Sequence, residues 1–180
     1  MRNFDSVIAA VTPPHTISSK TRDEYLRQQW AREMPSVDTE GMAILGRTRR
    51  ITLAAGSLVE SVLREFDIDR GEFDVVASLR REGAPYRLSP TDLYRALMIS
   101  SGGLTDRLTR LERKGLIARV PSNNDARSLL VELTAAGRKQ KEAAFRADMD
   151  LERKLISVLT AAERRQLGGL LAKLAVITEG

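Results

Sequence analysis

The 180-residue chain contains no cysteine and a single histidine, His15, which lies in a proline-rich segment. The absence of cysteine excludes disulfides, thiolate nucleophiles and direct thiol redox sensing. A metal site built from histidines within one chain is not expected either, because such sites need several of them. We therefore predict a protein with no metal and no other cofactor.

Long apolar runs are also missing from the chain. No stretch reaches the roughly 20 apolar residues that a membrane-spanning helix needs, and residues 7–11 are too short for the core of a signal peptide. We therefore expect no membrane partner and a cytoplasmic location.

Aromatic residues make up only 4% of the chain although 42% of it is hydrophobic, so aliphatic side chains must build the core. Leucine and alanine dominate, which favours helix over sheet. The net charge is +5, with 29 basic and 24 acidic residues, and arginine greatly outnumbers lysine. This excess is compatible with a polyanionic partner without requiring one, and arginine suits contacts to phosphates and base edges.

Helix-start signals organise the first third of the chain. Residues 1–20 show no periodicity and are predicted to form a flexible tail. The sequence TRDE, beginning at Thr21, predicts a capping box and an extra N-terminal helix over residues 21–35. Asp38 is predicted to cap a long helix over residues 39–66. Its length indicates a helix that spans the molecule or enters a dimer interface.

The remainder alternates short and long elements. DRGE at Asp69 predicts another capping box and a helix to Glu82, and YRL after it a short strand. Next come a short helix over residues 90–98, a turn at 99–100, and a helix ending at Gly115. Two strands, 117–120 and 128–133, enclose the turn sequence PSNNDAR. Two final helices are predicted to start at caps Thr134 and Thr160.

This order of elements is that of a winged helix-turn-helix, so the predicted fold class is mainly α, with the α+β winged motif over residues 71–134. If Leu104, Leu108 and Leu111 face the core, helical spacing turns the polar residues of the same helix outward. A helix of this kind fits the DNA major groove. The predicted DNA contacts on the turn and helix are Ser100, Ser101, Gly102, Thr105, Asp106, Thr109, Arg110 and Arg113.

The loop between the two strands supplies the second predicted contact with DNA. Asn124 belongs to its turn, and Arg127 would stand at its tip, where an arginine suits a narrow minor groove. Asp125 would repel phosphate, so we predict that it instead orients Arg127 or Arg107 through a charge-assisted hydrogen bond.

The segment from Leu88 to Gly137 resembles the helix-turn-helix and wing of the MarR family of transcriptional regulators, with the wing pattern D-x-R at Asp125 and Arg127. The resemblance spans residues 38–178. It implies a homodimer whose dimerisation helices come from both terminal regions, residues 36–70 and 135–180. It also implies two recognition helices in successive major grooves of a pseudopalindromic operator.

A narrower resemblance lies upstream, where WAREMPSVDTEGM and EFDVVASLRREGAPYRLSP are similar to the PecS-like and urate-responsive branch with an extra N-terminal helix. Residue by residue, this similarity implies effector binding by Trp30, Asp74, Arg81 and Arg107. An indole offers a flat face to a heterocycle, and a guanidinium can pair with or stack on a planar anion. Alternatively, Trp30 only pins the added helix to the body, and Asp74 forms an ordinary ion pair within its helix.

Three functions are compared. The favoured one is a repressor that binds operator DNA as a homodimer and is released by a small anionic aromatic or purine-like effector, such as urate, xanthine or a phenolic acid. The second is an architectural DNA-binding protein with no effector. The third is an enzyme, which is disfavoured because no nucleophile, metal cluster or phosphate loop stands out.

Overall fold

A computed structural model describes residues 19–97, 101–122 and 128–179. The chain separates into two compact units, residues 1–58 and 59–180, and the boundary falls within one long helix. No helix within these described ranges is both long and apolar enough to cross a membrane.

The first unit contains helix α1, Ser19–Glu33, and the N-terminal part of helix α2, Glu40–Arg64. Asp23 on α1 is buried and pairs with two arginines of α2, Arg47 at 2.9 Å and Arg50. Burial raises the pKa of the Asp23 carboxyl, but the hydrogen bonds from Arg50 and Arg47 outweigh it, and the pKa is lowered. These pairs attach the added helix to α2.

The predicted start of α1 is wrong by two residues. The helix begins at Ser19, so Thr21 lies inside it rather than at its cap. The pairing of Asp23 with Arg47 and Arg50 fixes the first turns of α1, and this tertiary contact overrides the local capping signal. The rest of the predicted tail lies outside the described residues. The Asp38 cap is confirmed, since its Oδ1 accepts a hydrogen bond from the Glu40 amide at 2.9 Å.

The second unit contains the rest of α2 and the remaining elements. In chain order, these are α3 (Arg70–Glu82), β1 (Arg87–Leu88), α4 (Pro90–Leu97), α5 (Ser101–Arg113), β2 (Ile117–Pro121), β3 (Leu129–Leu133), α6 (Ala135–Leu155) and α7 (Ala161–Glu179).

The predicted caps of α3, α6 and α7 are all present. Asp69 and Glu72 form the reciprocal capping box of α3, and Thr134 caps α6 by accepting from the Gly137 amide at 2.9 Å. At α7, Glu163 accepts from the Thr160 amide at 2.7 Å, and Thr160 Oγ1 accepts from the Glu163 amide at 3.3 Å. These caps satisfy amides that the first helical turn leaves without a partner.

The three strands form an antiparallel sheet in the order β1-β3-β2. The hairpin register pairs Ile117 with Leu133 and Pro121 with Leu129. On the other edge Arg87 lies opposite Glu132, and their side chains form an ion pair at 2.6 Å. This arrangement confirms the predicted winged helix-turn-helix: α4 and α5 are followed directly by the β2–β3 hairpin.

The core of the second unit is aliphatic, as the composition predicted. The three leucines predicted for the inner face of α5, Leu104, Leu108 and Leu111, are all buried. They lie in the same core as Leu79, Leu93 and Leu133, which have no exposed surface. The predicted apolar side chains of α7 differ, because Leu167, Leu170, Leu171, Leu174 and Ile177 are between 42% and 80% exposed in the single chain.

Candidate nucleic-acid interface and effector site

Helix α5 presents a polar face opposite its buried leucines. Thr105, Asp106, Thr109 and Arg113 are exposed, as their spacing predicted. Thr109 Oγ1 donates to the Thr105 carbonyl one turn earlier at 3.0 Å. This face carries hydroxyl, carboxylate and guanidinium groups, the types that contact base edges and phosphates.

Part of the predicted interface lies outside the described residues, namely Ser100, Asn124, Asp125 and Arg127. Ser101 and Gly102 are the first two residues of α5. The stem of the hairpin is described. There, Arg119 on β2 pairs with Glu112 on α5 at 3.2 Å, which ties the wing to the recognition helix.

Arg110, which was expected to face outward, is only partly exposed and pairs with two carboxylates of α3. Its Nε donates to Glu72 Oε1 at 2.9 Å, and its Nη2 donates to Asp69 Oδ2 at 2.9 Å. The hydrogen bond to Glu72, with a smaller contribution from Asp69, raises the pKa of Arg110. Helical spacing predicted that Arg110 lies on the outward face of α5, but its guanidinium pairs with the carboxylates of Glu72 and Asp69.

Sequence reasoning also missed Lys114, just beyond α5. Its ammonium donates to Glu72 Oε2 at 3.0 Å and to the Asp67 carbonyl at 2.9 Å. The available signal in the sequence was Glu72, the acid of the predicted capping box. Glu72 is almost fully buried and therefore needs a cationic partner, but the sequence alone could not show that burial.

Three of the four predicted effector residues belong to the second unit. Asp74 pairs with Arg70 at 3.0 Å on the same helix, not with Arg80 or Arg81. The end of the Arg107 side chain lies against the backbone of Gly71, the residue after Arg70. Within the described ranges, Arg107 forms no ion pair. Trp30 belongs to α1 in the first unit and is 44% exposed.

The remaining predicted effector residue, Arg81, lines a cavity of about 810 Å³ between α3 and α6. Phe73 and Phe145 belong to its apolar lining, and their rings are stacked at a centroid distance of 6.3 Å. Arg80 and Arg138 also line it, and both guanidinium groups lie over the ring of Tyr86, at 5.6 and 4.7 Å from its centroid. The cavity therefore combines flat apolar surfaces with several cationic groups and two carboxylates, those of Glu142 and Asp150.

Two ionisable side chains of α6 are buried. Lys141 donates to the Phe66 carbonyl at 2.6 Å, and burial lowers the pKa of its ammonium. Asp148 is 1% exposed, and its Oδ1 has no hydrogen-bond partner among the described residues. Burial raises the pKa of Asp148, with Glu152 and Asp74 acting in the same direction and Arg70 opposing them.

Among the described residues, no group of three or more histidine, cysteine, aspartate or glutamate side chains is arranged to hold a metal ion. The two candidate sites differ in their chemistry. Helix α5 presents an exposed polar face beside the β2–β3 hairpin, and the cavity between α3 and α6 presents aromatic and cationic side chains.

An exposed polar face on α5, its buried leucine stripe and the hairpin that follows define a winged helix-turn-helix protein. Comparison with known proteins gives the same answer: a MarR family sequence profile matches residues 66–128. The chain is 36% identical over 146 residues to the HTH-type transcriptional regulator PecS of Dickeya dadantii, covering 81% of this chain and 88% of PecS. The chain belongs to the MarR family.

Two further comparisons involve MarR itself. The chain is 35% identical over 117 residues to the multiple antibiotic resistance protein MarR of Escherichia coli, covering 64% of this chain and 79% of MarR. A cysteine-to-serine variant of that protein, solved in complex with operator DNA, matches with a TM-score of 0.66 and 32% identity. This match covers 77% of this chain and 99% of the MarR chain. These relatives are transcriptional regulators and not enzymes.

Proposed function

We propose that this protein is a transcriptional repressor that binds a pseudopalindromic operator as a homodimer and is released by a small anionic aromatic or purine-like effector. The observation that carries the DNA-binding part is the exposed polar face of α5 next to the hairpin wing. Its similarity to a MarR variant solved with operator DNA supports the same conclusion. A repressor acts where the operator DNA lies, so the proposed location is the cytoplasm.

The exposed apolar side chains of α7 support the homodimer. Leu170 and Leu171 are 52% and 43% exposed, and Ile177 is 80% exposed. A contiguous apolar face of this kind is typical of a subunit interface. In light-scattering measurements, we expect the wild-type protein to have the mass of two chains. Leu171→Glu is expected to yield monomers, because it places a charge on that face.

The aromatic and cationic cavity supports the effector. A planar anion could stack on Phe73 or Phe145 while Arg81 or Arg80 pairs with its charge. Asp74, which pairs with Arg70, and Arg107, on the flank of the recognition helix, are proposed to respond when the anion binds. Urate, xanthine and phenolic acids all have the required planarity and acidity.

A titration of the protein–DNA complex tests this function. The DNA is a duplex selected by the wild-type chain from a randomised pool, labelled for fluorescence anisotropy. We expect urate, xanthine or 4-hydroxybenzoate to release the protein in a saturable manner. Arg81→Gln should raise the concentration needed for release. Lys139→Gln should not, because it removes the same charge from an exposed position of α6.

The second candidate is an architectural protein that binds DNA without an effector. Asp74 supports it, since an ordinary ion pair with Arg70 explains that residue without any ligand. Under this alternative, the complex remains intact at every concentration of all three compounds.

A further inference from the structure

We propose that Glu72 on α3 is a positioning residue that sets the orientation of the recognition helix α5 through Arg110 and Lys114. The inference rests on the proposed DNA binding, and it assigns to Glu72 and Arg110 a role other than contact with DNA. Glu72, Asp69, Arg110 and Lys114 are together called the α3–α5 clamp below.

Every oxygen of the two clamp carboxylates has a partner. Glu72 Oε1 accepts from Arg110 Nε at 2.9 Å, and its Oε2 accepts from Lys114 Nζ at 3.0 Å and from the Asp69 amide at 3.3 Å. Asp69 Oδ1 accepts from the Glu72 amide at 2.7 Å, and its Oδ2 accepts from Arg110 Nη2 at 2.9 Å. The residues that cap α3 are therefore also the residues that hold α5.

Because the Glu72 carboxylate is buried, it depends on its charged partners. The Glu72 side chain is 2% exposed, whereas those of Arg110 and Lys114 are 40% and 31% exposed. A buried carboxylate needs both charge partners and hydrogen bonds, because an unpaired buried charge is strongly unfavourable. The capping of α3 alone does not require such burial, since a capping box also forms at the exposed residues Thr160 and Glu163.

The spacing of the two cations explains what the clamp controls. Arg110 and Lys114 are four residues apart, so they lie on successive turns at the C-terminal end of α5 and just beyond it. Attachment at two points along the helix restricts both its tilt and its rotation about its own axis. That rotation determines where Thr105, Thr109 and Arg113 point, and hence whether they meet the base edges.

The position of Glu72 also connects the clamp to the effector cavity. Phe73, the next residue, lines that cavity, as do Val76 and Arg81 on the same helix. Any displacement of α3 by a bound molecule therefore moves the carboxylate that holds α5. The rigid element shared by the two sites is α3 itself.

The test compares two duplexes and two variants by fluorescence anisotropy. One duplex is selected from a randomised pool by the wild-type chain, and the other is a scrambled sequence of equal composition. Glu72→Gln removes the charge at nearly constant shape. Glu60→Gln is the matched control, because Glu60 has an exposed ion pair with Arg64 at 3.2 Å and the variant loses the same charge.

Loss of a negative charge by itself should tighten binding to any DNA, because the phosphate backbone dominates affinity. We expect this small gain for Glu60→Gln on both duplexes. For Glu72→Gln, we expect affinity for the selected duplex to fall about tenfold, while affinity for the scrambled duplex stays constant or rises slightly. The two variants therefore change specific binding in opposite directions.

Arg110→Gln and Lys114→Met provide a second pair of variants should Glu72→Gln fold poorly, since both positions are partly exposed. For each variant, a stoichiometric titration gives the fraction of the protein that binds DNA. The affinities are then compared for that folded fraction alone. An Arg110 that contacts phosphate would lose affinity for both duplexes when changed to glutamine, and one that reads a base edge would lose affinity for the selected duplex without a matching loss in Lys114→Met. A positioning role predicts that Arg110→Gln and Lys114→Met both lose affinity mainly for the selected duplex.

The clamp is overturned if the ratio of the two affinities stays at its wild-type value in Glu72→Gln or, where that variant does not fold, in Arg110→Gln and Lys114→Met. It is equally overturned if both affinities fall in parallel in folded protein. If the wild-type chain enriches no duplex at all, the proposed function fails and the clamp fails with it. Normal enrichment by the wild type with an unchanged ratio in the variants overturns the clamp alone.

Discussion

The guanidinium of Arg107 occupies the space in which a Cβ atom on Gly71 would lie, with Cζ only 2.5 Å from that position. Gly71 is the second residue of α3, and Arg107 lies on the flank of α5. Because Gly71 has no side chain, the Arg107 side chain of the recognition helix can pack against the backbone of α3. This contact lies next to the pair formed by Arg70 and Asp74.

Gly71→Ala is expected to move Arg107 without unfolding the protein. The new methyl group meets only the flexible end of a side chain, and alanine favours the helix by up to about 1 kcal/mol. We therefore expect the midpoint of thermal unfolding to change little, while the effector concentration that releases DNA changes severalfold. The control is Gly41→Ala at the second residue of α2, where an added Cβ meets nothing within 4 Å. Equal effector responses in the two variants would contradict a role for Arg107.

Gly137→Ala is expected to be strongly destabilising. An added Cβ would collide with the backbone carbonyl of Leu116 and would lie 2.9 Å from Leu133 Cδ1. Backbone atoms cannot move aside cheaply, so we expect a loss of about 1–3 kcal/mol in the free energy of unfolding, measured by urea denaturation. Gly168→Ala on α7, where nothing lies within 4 Å, should be neutral or stabilising. A fully stable Gly137→Ala would mean that the Leu116 carbonyl can move away from α6 at little cost.

Local signals in the sequence predicted most of the fold. Caps such as Asp69 and Thr134 act within one helical turn, and the leucine stripe of α5 depends only on helical periodicity. The start of α1 was missed because Asp23 finds its partners 24 and 27 residues further along the chain.

The candidate sites were less predictable for the same reason. Periodicity shows which face of a helix Arg110 occupies, but Glu72 lies 38 residues away in sequence. The cavity depends on Phe73 and Phe145, which are farther apart still and come together only when α3 packs on α6. Resemblance placed Arg81 among the effector residues, although the aromatic groups around it carried no local signal.

Arg113→Ala is expected to weaken DNA binding and reduce its dependence on salt. Arg113 is exposed on α5, so its guanidinium is free to neutralise a phosphate. Loss of one such contact lowers the slope of log affinity against log salt by about one. Arg127→Ala in the wing is expected to do the same. The control, Arg153→Ala, removes an exposed charge on α6 that pairs with Asp150 at 2.9 Å. A slope that Arg113→Ala leaves unchanged would exclude a phosphate contact.

Trp30→Phe should leave DNA affinity within about twofold while blunting the effector response, because phenylalanine lacks the indole N–H and part of the flat surface. Anisotropy titrations with DNA alone and then with urate measure the two effects separately. Tyr25→Phe is the control on the same helix. It removes the Tyr25 hydroxyl, which accepts a hydrogen bond from Gln29 at 3.2 Å. Collapse of DNA affinity in Trp30→Phe would instead identify Trp30 as a structural residue of α1.

Asp148→Asn is expected to stabilise the protein at neutral and alkaline pH. Because burial raises the pKa of Asp148 above that of the unfolded chain, the folded state holds this proton more tightly. Its contribution to stability is therefore fully present below the unfolded pKa and is lost as pH rises through the folded pKa. Asparagine carries no charge at any pH, so the variant avoids this loss.

The measurement is the difference in unfolding free energy between variant and wild type from pH 4 to pH 8. We expect that difference to be small at the acidic end and to grow to about 1–3 kcal/mol in favour of the variant at the alkaline end, the range for a buried group without a partner. Asp150→Asn, which alters an exposed residue two positions along α6, should show no such trend. A constant difference across the pH range would show that Asp148 ionises in the folded protein as it does in the unfolded chain.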